Sequence, residues 1–172
     1  MSSQVDIFLE MMAAERGASK NTLAAYLRDL KDFEIFMLRR NRNIESADSK
    51  NIQDYLAQLK IKGQTPATRA RKLSVLKGFY QFLYAERQRE ENPSDRIDGP
   101  RMGRSLPRYL SVNEVESLIE AAREQSGKSG TRLVALLEVI YAAGLRVSEL
   151  VALPLAAISS DSKILLVRGK GN

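Results

Sequence analysis

Thr65-Pro66-Ala67-Thr68-Arg69-Ala70-Arg71-Lys72-Leu73-Ser74-Val75-Leu76-Lys77-Gly78-Phe79-Tyr80-Gln81-Phe82-Leu83-Tyr84 is the stretch on which the fold turns. Thr65 has the hydroxyl of an N-cap and Pro66 suits the first helical position. Leu73, Leu76, Tyr80 and Leu83 then recur at helical spacing, which predicts a helix from Pro66 to about Glu90. Arg69 and Lys72 point almost the same way as that stripe, one turn earlier, so it changes from apolar to cationic along its length. Two readings follow. Either the N-terminal end projects Thr68, Arg69, Arg71 and Lys72 toward phosphates and groove edges, or Arg69 and Lys72 lay their stems over the rim of the domain.

The chain before this helix repeats the same amphipathic pattern. Val5, Phe8, Leu9 and Met12 mark a first helix, stopped by Gly17. A second runs from Ser19 to about Leu38, with Leu23, Tyr26, Leu27, Leu30, Phe33 and Met37 on one side and Lys20, Arg28, Asp29, Lys31 and Asp32 elsewhere. Ile52, Tyr55, Leu56 and Leu59 form the stripe of a third, with Gly63 beyond its end. Four amphipathic helices joined by short loops predict an all-α domain over residues 1–92. Lys20, Asn21, Thr22 and Arg28 offer a second, weaker basic surface, which reads better as an ordinary solvated helix face.

After the fourth helix the composition changes. Pro93, Pro100 and Pro107 break any helix, Gly99 and Gly103 loosen the backbone, and Arg101, Arg104 and Arg108 have no acid among them, which predicts a basic linker over residues 93–110. Ser111 and Glu114 have capping-box spacing, and Val115, Leu118, Ile119 and Ala122 continue as a fifth helix. Leu133, Leu136, Leu137, Ile140 and Tyr141 mark a sixth, apolar enough to predict burial and ending at Gly144. A short seventh covers about Val147 to Leu153, before Pro154. Lys163 to Arg168 reads as a strand leading into Gly169-Lys170-Gly171-Asn172. Such a strand calls for a partner, so the unit at residues 111–172 reads as unfinished.

Composition narrows the chemistry. The 172 residues contain neither Cys nor His, which removes disulfides, thiolates, imidazole bases and the usual zinc sites. Twenty-seven Lys and Arg against 21 Asp and Glu give a formal charge of +6, which suits an anionic partner or plain solubility. No apolar run approaches a membrane span and the first residues make no secretory signal, so a cytoplasmic protein is expected. The six tyrosines fall in apolar stripes or near helix ends, where packing is the expected role.

The sharpest segment is Tyr141-Ala-Ala-Gly144-Leu-Arg146-Val-Ser-Glu149-Leu150. An arginine at a glycine turn with a carboxylate three residues on can be oriented by Glu149 to present a planar fork to a phosphate. It can also be a simple ion pair on a short helix. Gly144-Leu-Arg146-Val-Ser-Glu149-Leu150 and Gly169-Lys170-Gly171-Asn172 together resemble the tyrosine-type site-specific recombinases of the phage integrase family, most closely the bacterial Xer recombinases. Leu106-Pro-Arg-Tyr-Leu-Ser111 is similar to that family's entry into its catalytic domain, and Ser74 to Tyr84 to its last core-binding helix.

The resemblance implies a mainly α protein: a helical, SAM-like core-binding domain followed by the truncated start of a mixed α/β catalytic domain, the two gripping opposite faces of a DNA site. It implies that a tyrosine attacks the scissile phosphate, forming a 3′-phosphotyrosyl link and freeing a 5′-hydroxyl, with no metal or nucleotide cofactor. Arg146 would stabilise charge on the nonbridging oxygens. Lys170 would protonate the leaving 5′ oxygen, and Glu149 would support the arginine. Its partners would be a double-stranded recombination site and identical or paralogous subunits, tetrameric on DNA, resolving chromosome or plasmid dimers. The family's His-x-x-Arg box and late tyrosine have no counterpart here, so this chain is expected to bind DNA without cleaving it. A phage or mobile-element integrase, a non-catalytic DNA-binding regulator and a helical protein-interaction module are the rival readings.

Overall fold

Capping chemistry sets where the helices begin. The computed structural model describes residues 3–101, 103, 109–159 and 164–167. The chain divides into two units, Met1–Ser105 and Leu106–Asn172, and among the described residues it is mainly α-helical. None of the described helices is long and apolar enough to cross a membrane.

The first unit contains α1 (Ser3–Ala14), α2 (Lys20–Leu38), a 3-10 turn at Ile44–Ser46, α3 (Ser49–Ile61) and α4 (Pro66–Ala85). Ser19 accepts a hydrogen bond from the Thr22 N–H and Thr65 from the Thr68 N–H, each at 3.2 Å. Asp48 and Asn51 cap α3 reciprocally. Gly63, at φ +74°, brings the Gln64 N–H to the Leu59 carbonyl at 3.0 Å and closes α3 just before α4 starts.

Helix α4 packs on α1, α2 and α3 and buries Leu73, Leu76, Phe79, Tyr80 and Leu83. Phe8 of α1 meets the Phe79 ring edge-on at 5.7 Å, and Phe33 of α2 meets Tyr55 of α3 at 4.9 Å. The Tyr80 hydroxyl donates to the Ile44 carbonyl at 2.7 Å, tying the 3-10 turn to the core. Burial pushes the Tyr80 phenol well above its ordinary pKa, which keeps it a donor.

Helix α4 stops at Ala85 and not at about Glu90. Arg87 takes a left-handed φ of +56°, and the Gln88 and Arg89 N–H groups both turn back to the Leu83 carbonyl. The Arg89 guanidinium donates to the Glu45 carbonyl and sits 5.6 Å over the Tyr80 ring. Beyond it, Ser49 donates its hydroxyl to the Pro93 carbonyl at 2.7 Å, and Ser94 and Ile97 are buried. Residues 93–97, expected as linker, therefore pack with the first unit.

The second unit contains α5 (Val112–Arg123), α6 (Gly127–Ala143), α7 (Val147–Val151) and a 3-10 turn at Leu155–Ala157. Ser111 and Glu114 form the capping box that opens α5. Gly130 lets α6 pass the chain of the preceding turn: a Cβ there would stand 1.8 Å from the Gln125 carbonyl oxygen. Two expectations change here. The apolar stripe of α6 is only half-buried at Leu133, Leu136, Leu137 and Ile140, and Tyr141 is 58% exposed, because α5 and α7 are the described helices that pack on it. The strand expected over Lys163 to Arg168 is, among the described residues, a single antiparallel bridge between Leu165 and Ile158. Its partner segment leaves the 3-10 turn only at Ile158, which restricts the pairing to Leu166 N–H on the Ala157 carbonyl and Ser159 N–H on the Ile164 carbonyl. Lys163 and Arg168 lie outside the described residues.

Candidate nucleic-acid interface

The first half of α4 does not present its cations uniformly. Helix α2 places Asp29 and Asp32 one turn apart on the side facing α4, and α3 brings Tyr55 to the same place. Lys72 is drawn into this group: its Nζ lies 2.7 Å from Asp32 Oδ2, 3.4 Å from Asp29 Oδ1 and 3.3 Å from the Tyr55 hydroxyl. Its side chain is only 12% exposed. Lys72, expected as a DNA-facing cation, is thus a structural counter-ion, since two carboxylates hold its charge inside the helical packing.

The electrostatics agree with that geometry. Burial opposes ionisation of Asp32, but hydrogen bonds from Lys72 and Tyr55 and the lysine charge outweigh it, so the carboxyl stays below its ordinary pKa. Burial, followed by donation to Asp32 at 2.8 Å, pushes the Tyr55 phenol far up.

Arg71 differs from its neighbour. Its NH1 donates to Asp29 Oδ2, yet the side chain is 48% exposed, while Asp29 is 5% exposed. Arg69 is half-buried, with its Nε enclosed and without a hydrogen-bond partner. Thr68 is half-buried and its hydroxyl lies 3.0 Å from that of Thr65 at the cap. On α2, Lys20, Asn21 and Arg28 are exposed, whereas the Thr22 hydroxyl lies 2.9 Å from that of the capping Ser19. Arg101 is exposed, and Arg104 lies outside the described residues. Asp29 and Asp32 are the residues the sequence reading missed. Their signal was placement beside Leu30 and Phe33, which puts both on the margin of the buried stripe.

In the second unit the chain builds an arginine holder from a glycine and a glutamate. Gly144 ends α6 with φ +63° and ψ 26°, its N–H on the Ile140 carbonyl at 2.9 Å. Arg146 follows as the N-cap of α7 with extended backbone. Glu149, three residues on, accepts the Arg146 N–H at 2.8 Å through Oε2 and the guanidinium NH1 at 2.7 Å through Oε1. The backbone N–H first, then the guanidinium, hold the Glu149 carboxyl below its ordinary pKa. Arg146 is 67% exposed, so the restrained guanidinium faces solvent, where it can donate to an anion. Lys170 lies outside the described residues.

Comparison with known proteins gives the same division of the sequence. Residues 5–87 match the family described as phage integrase, N-terminal SAM-like domain, and residues 108–172 match the phage integrase family. The tyrosine recombinase XerD of Caulobacter vibrioides is 45% identical over 166 residues, covering 96% of this chain and 54% of the relative. That of Rhizobium meliloti is 43% identical over 178 residues, covering 99% and 57%. The chain therefore spans about half the length of the curated relatives it matches. A lambda integrase dimer bound to a COC' core site superposes with a TM-score of 0.66 at 20% identity, covering 96% of this chain and 47% of that one. The integrase of mycobacterium phage Brujita gives 0.55 at 20% identity, covering 99% and 55%. Successive parts of one family thus align in order along this sequence, and the chain belongs to the phage integrase family of tyrosine recombinases.

Proposed function

We propose that this polypeptide grips duplex DNA with its helical unit and supplies part of the phosphoryl-transfer site of a site-specific recombinase. The observation that carries the reading is the clasp of Glu149 on Arg146, which holds a guanidinium outward at a helix start. A phosphodiester passing through a five-coordinate state gains charge on its nonbridging oxygens, and a restrained planar donor is suited to that charge.

In the whole protein, a tyrosine oxygen bonds to phosphorus as the bond to the 5′ oxygen breaks, and Lys170 gives that oxygen its proton. The new 5′-hydroxyl then attacks the partner duplex and expels the tyrosine. Residues 1–92 form the binding part in this scheme, and residues 111–172 belong to the catalytic part. Double-stranded DNA is the substrate, further recombinase subunits assemble on it as a tetramer, and the setting is cytoplasmic. Resolution of chromosome or plasmid dimers is the purpose proposed for this reaction.

Two measurements test this. The 172-residue chain binds duplex DNA with an affinity that falls as salt rises, by about 0.9 log units per log unit of salt for each phosphate contact, and forms no covalent adduct. In a protein of the relatives' full length, Arg146→Ala leaves duplex binding near the parent and abolishes formation of the phosphotyrosyl adduct. Normal cleavage by that variant would overturn the role given to Arg146, and salt-insensitive binding would overturn the role given to the helical unit.

A further inference from the structure

The cations of α4 and the acids of α2 form a chain of contacts with one exposed end. Tyr55 and Asp32 hold Lys72, Lys72 reaches Asp29 Oδ1 at 3.4 Å, and the other oxygen of Asp29 holds NH1 of Arg71. Every member before Arg71 is buried or anchored by buried partners. Tyr55 and Asp29 are buried, and Lys72 is nearly so. Each oxygen of Asp29 therefore has its own cation, which fixes the carboxylate plane and with it the direction of Arg71.

We infer that Asp29 is a positioning residue, which acts through Arg71 to preset a guanidinium fork for a phosphodiester of duplex DNA. The inference rests on the DNA-binding reading given above. Lys72 is poorly placed for such a contact, because its side chain is 12% exposed and its ammonium already donates to Asp32 and Tyr55 and pairs with Asp29. A guanidinium has five, and only the NH1 edge of Arg71 meets Asp29.

Charge strengthens the argument. Two carboxylates and two cations balance within the cluster, so net charge gives the group little attraction for DNA. What remains is directional: a long side chain already held in place does not lose its rotamer freedom on binding.

The sign of one substitution separates this idea from simple electrostatics. Asp29→Asn removes a negative charge, and Coulomb attraction alone predicts tighter binding. Presetting predicts weaker binding by about threefold to tenfold, the range expected when a free side chain must be ordered. Binding of the 172-residue chain to a mixed-sequence duplex of about 30 base pairs is measured across a salt series, with thermal melts on the same samples. Asp29→Asn, Arg71→Ala, the double variant and Arg71→Lys are compared with the parent.

The inference expects Asp29→Asn to weaken binding in the parent and to have no further effect beside Arg71→Ala, a coupling that a purely structural role does not produce. It expects Arg71→Lys, which keeps the charge on an exposed position, to lose most of what Arg71→Ala loses. Tighter binding by Asp29→Asn, an equal loss in both arginine backgrounds, or full affinity in Arg71→Lys each overturns it. A parent chain that fails to bind the duplex sinks the underlying DNA-binding reading instead, and the inference with it.

Discussion

Lys72→Met gives the sharpest contrast between a surface contact and a structural counter-ion. The substitution keeps the length of the stem and deletes the ammonium, leaving Asp29 buried with Arg71 alone and Asp32 with the Tyr55 hydroxyl. Breaking a fully buried ion pair costs about 3–5 kcal/mol. Here Arg71 still serves Asp29 and Asp32 is half-exposed, so about 2 kcal/mol is the better expectation. For a unit of this size that lowers the melting temperature by on the order of 10 °C.

The assay is near-ultraviolet circular dichroism. The sequence has no Trp, and Tyr26, Tyr55, Tyr80 and Tyr84 belong to the first unit, so the tyrosine signal reports mainly on that unit. Acid supplies an internal check. The Asp32 pKa is lower folded than unfolded, so its contribution is present above the unfolded value near pH 4 and fades as pH falls through the folded value below it. Lys72→Met removes a cause of that depression, so parent and variant converge as the solution is acidified below about pH 4. Any loss of duplex affinity in the folded variant is indirect, through the Asp29 carboxylate that Lys72 helps to hold for Arg71, so it disappears beside Arg71→Ala. A variant that melts with the parent but binds DNA about tenfold more weakly would refute this, because Lys72 would then face the nucleic acid.

Three further outcomes follow from single positions. Gly144→Ala meets no atom within 4 Å but must hold φ +63°, so strain alone costs about 1–2 kcal/mol, read as an earlier denaturation midpoint of the second unit. Gly78→Ala, inside α4, places its new methyl at an ordinary 3.5 Å from the Phe8 ring and gains about 0.5–1 kcal/mol from helix propensity. A lower melting temperature would mean that Phe8 cannot accommodate it. Glu149→Gln, in a protein of the relatives' length, frees the guanidinium while leaving duplex binding unchanged. Single-turnover strand cleavage slows by on the order of tenfold or more, and an unchanged rate would show that the carboxylate does not hold Arg146 in its working position.

Short-range signals made much of the fold readable from sequence. Thr65 with Pro66, Ser111 with Glu114, and Gly63 and Gly144 each act within a few residues, so local chemistry determines them. The end of α4 was not readable in that way, because the left-handed position is occupied by Arg87 and not by the glycine that usually marks it. Lys72 was misread for another reason. Its partners lie on α2, and their meeting depends on how two helices are rotated against each other, which composition does not encode. Burial of α6 failed similarly: an apolar stripe says what a helix can bury, while exposure depends on what is packed upon it. Arg146 and Glu149 were readable as a pair, since a separation of three residues at a helix start brings them together.

The double grip of Glu149 separates architecture from reactivity. One oxygen of that carboxylate takes a main-chain proton that every amino acid except proline would offer at position 146, and the other takes the guanidinium. The start of α7 is consequently indifferent to the identity of the side chain it displays. Silencing the arginine should leave an intact scaffold, so an inert variant can serve as a trap for substrate complexes and not merely as a damaged protein.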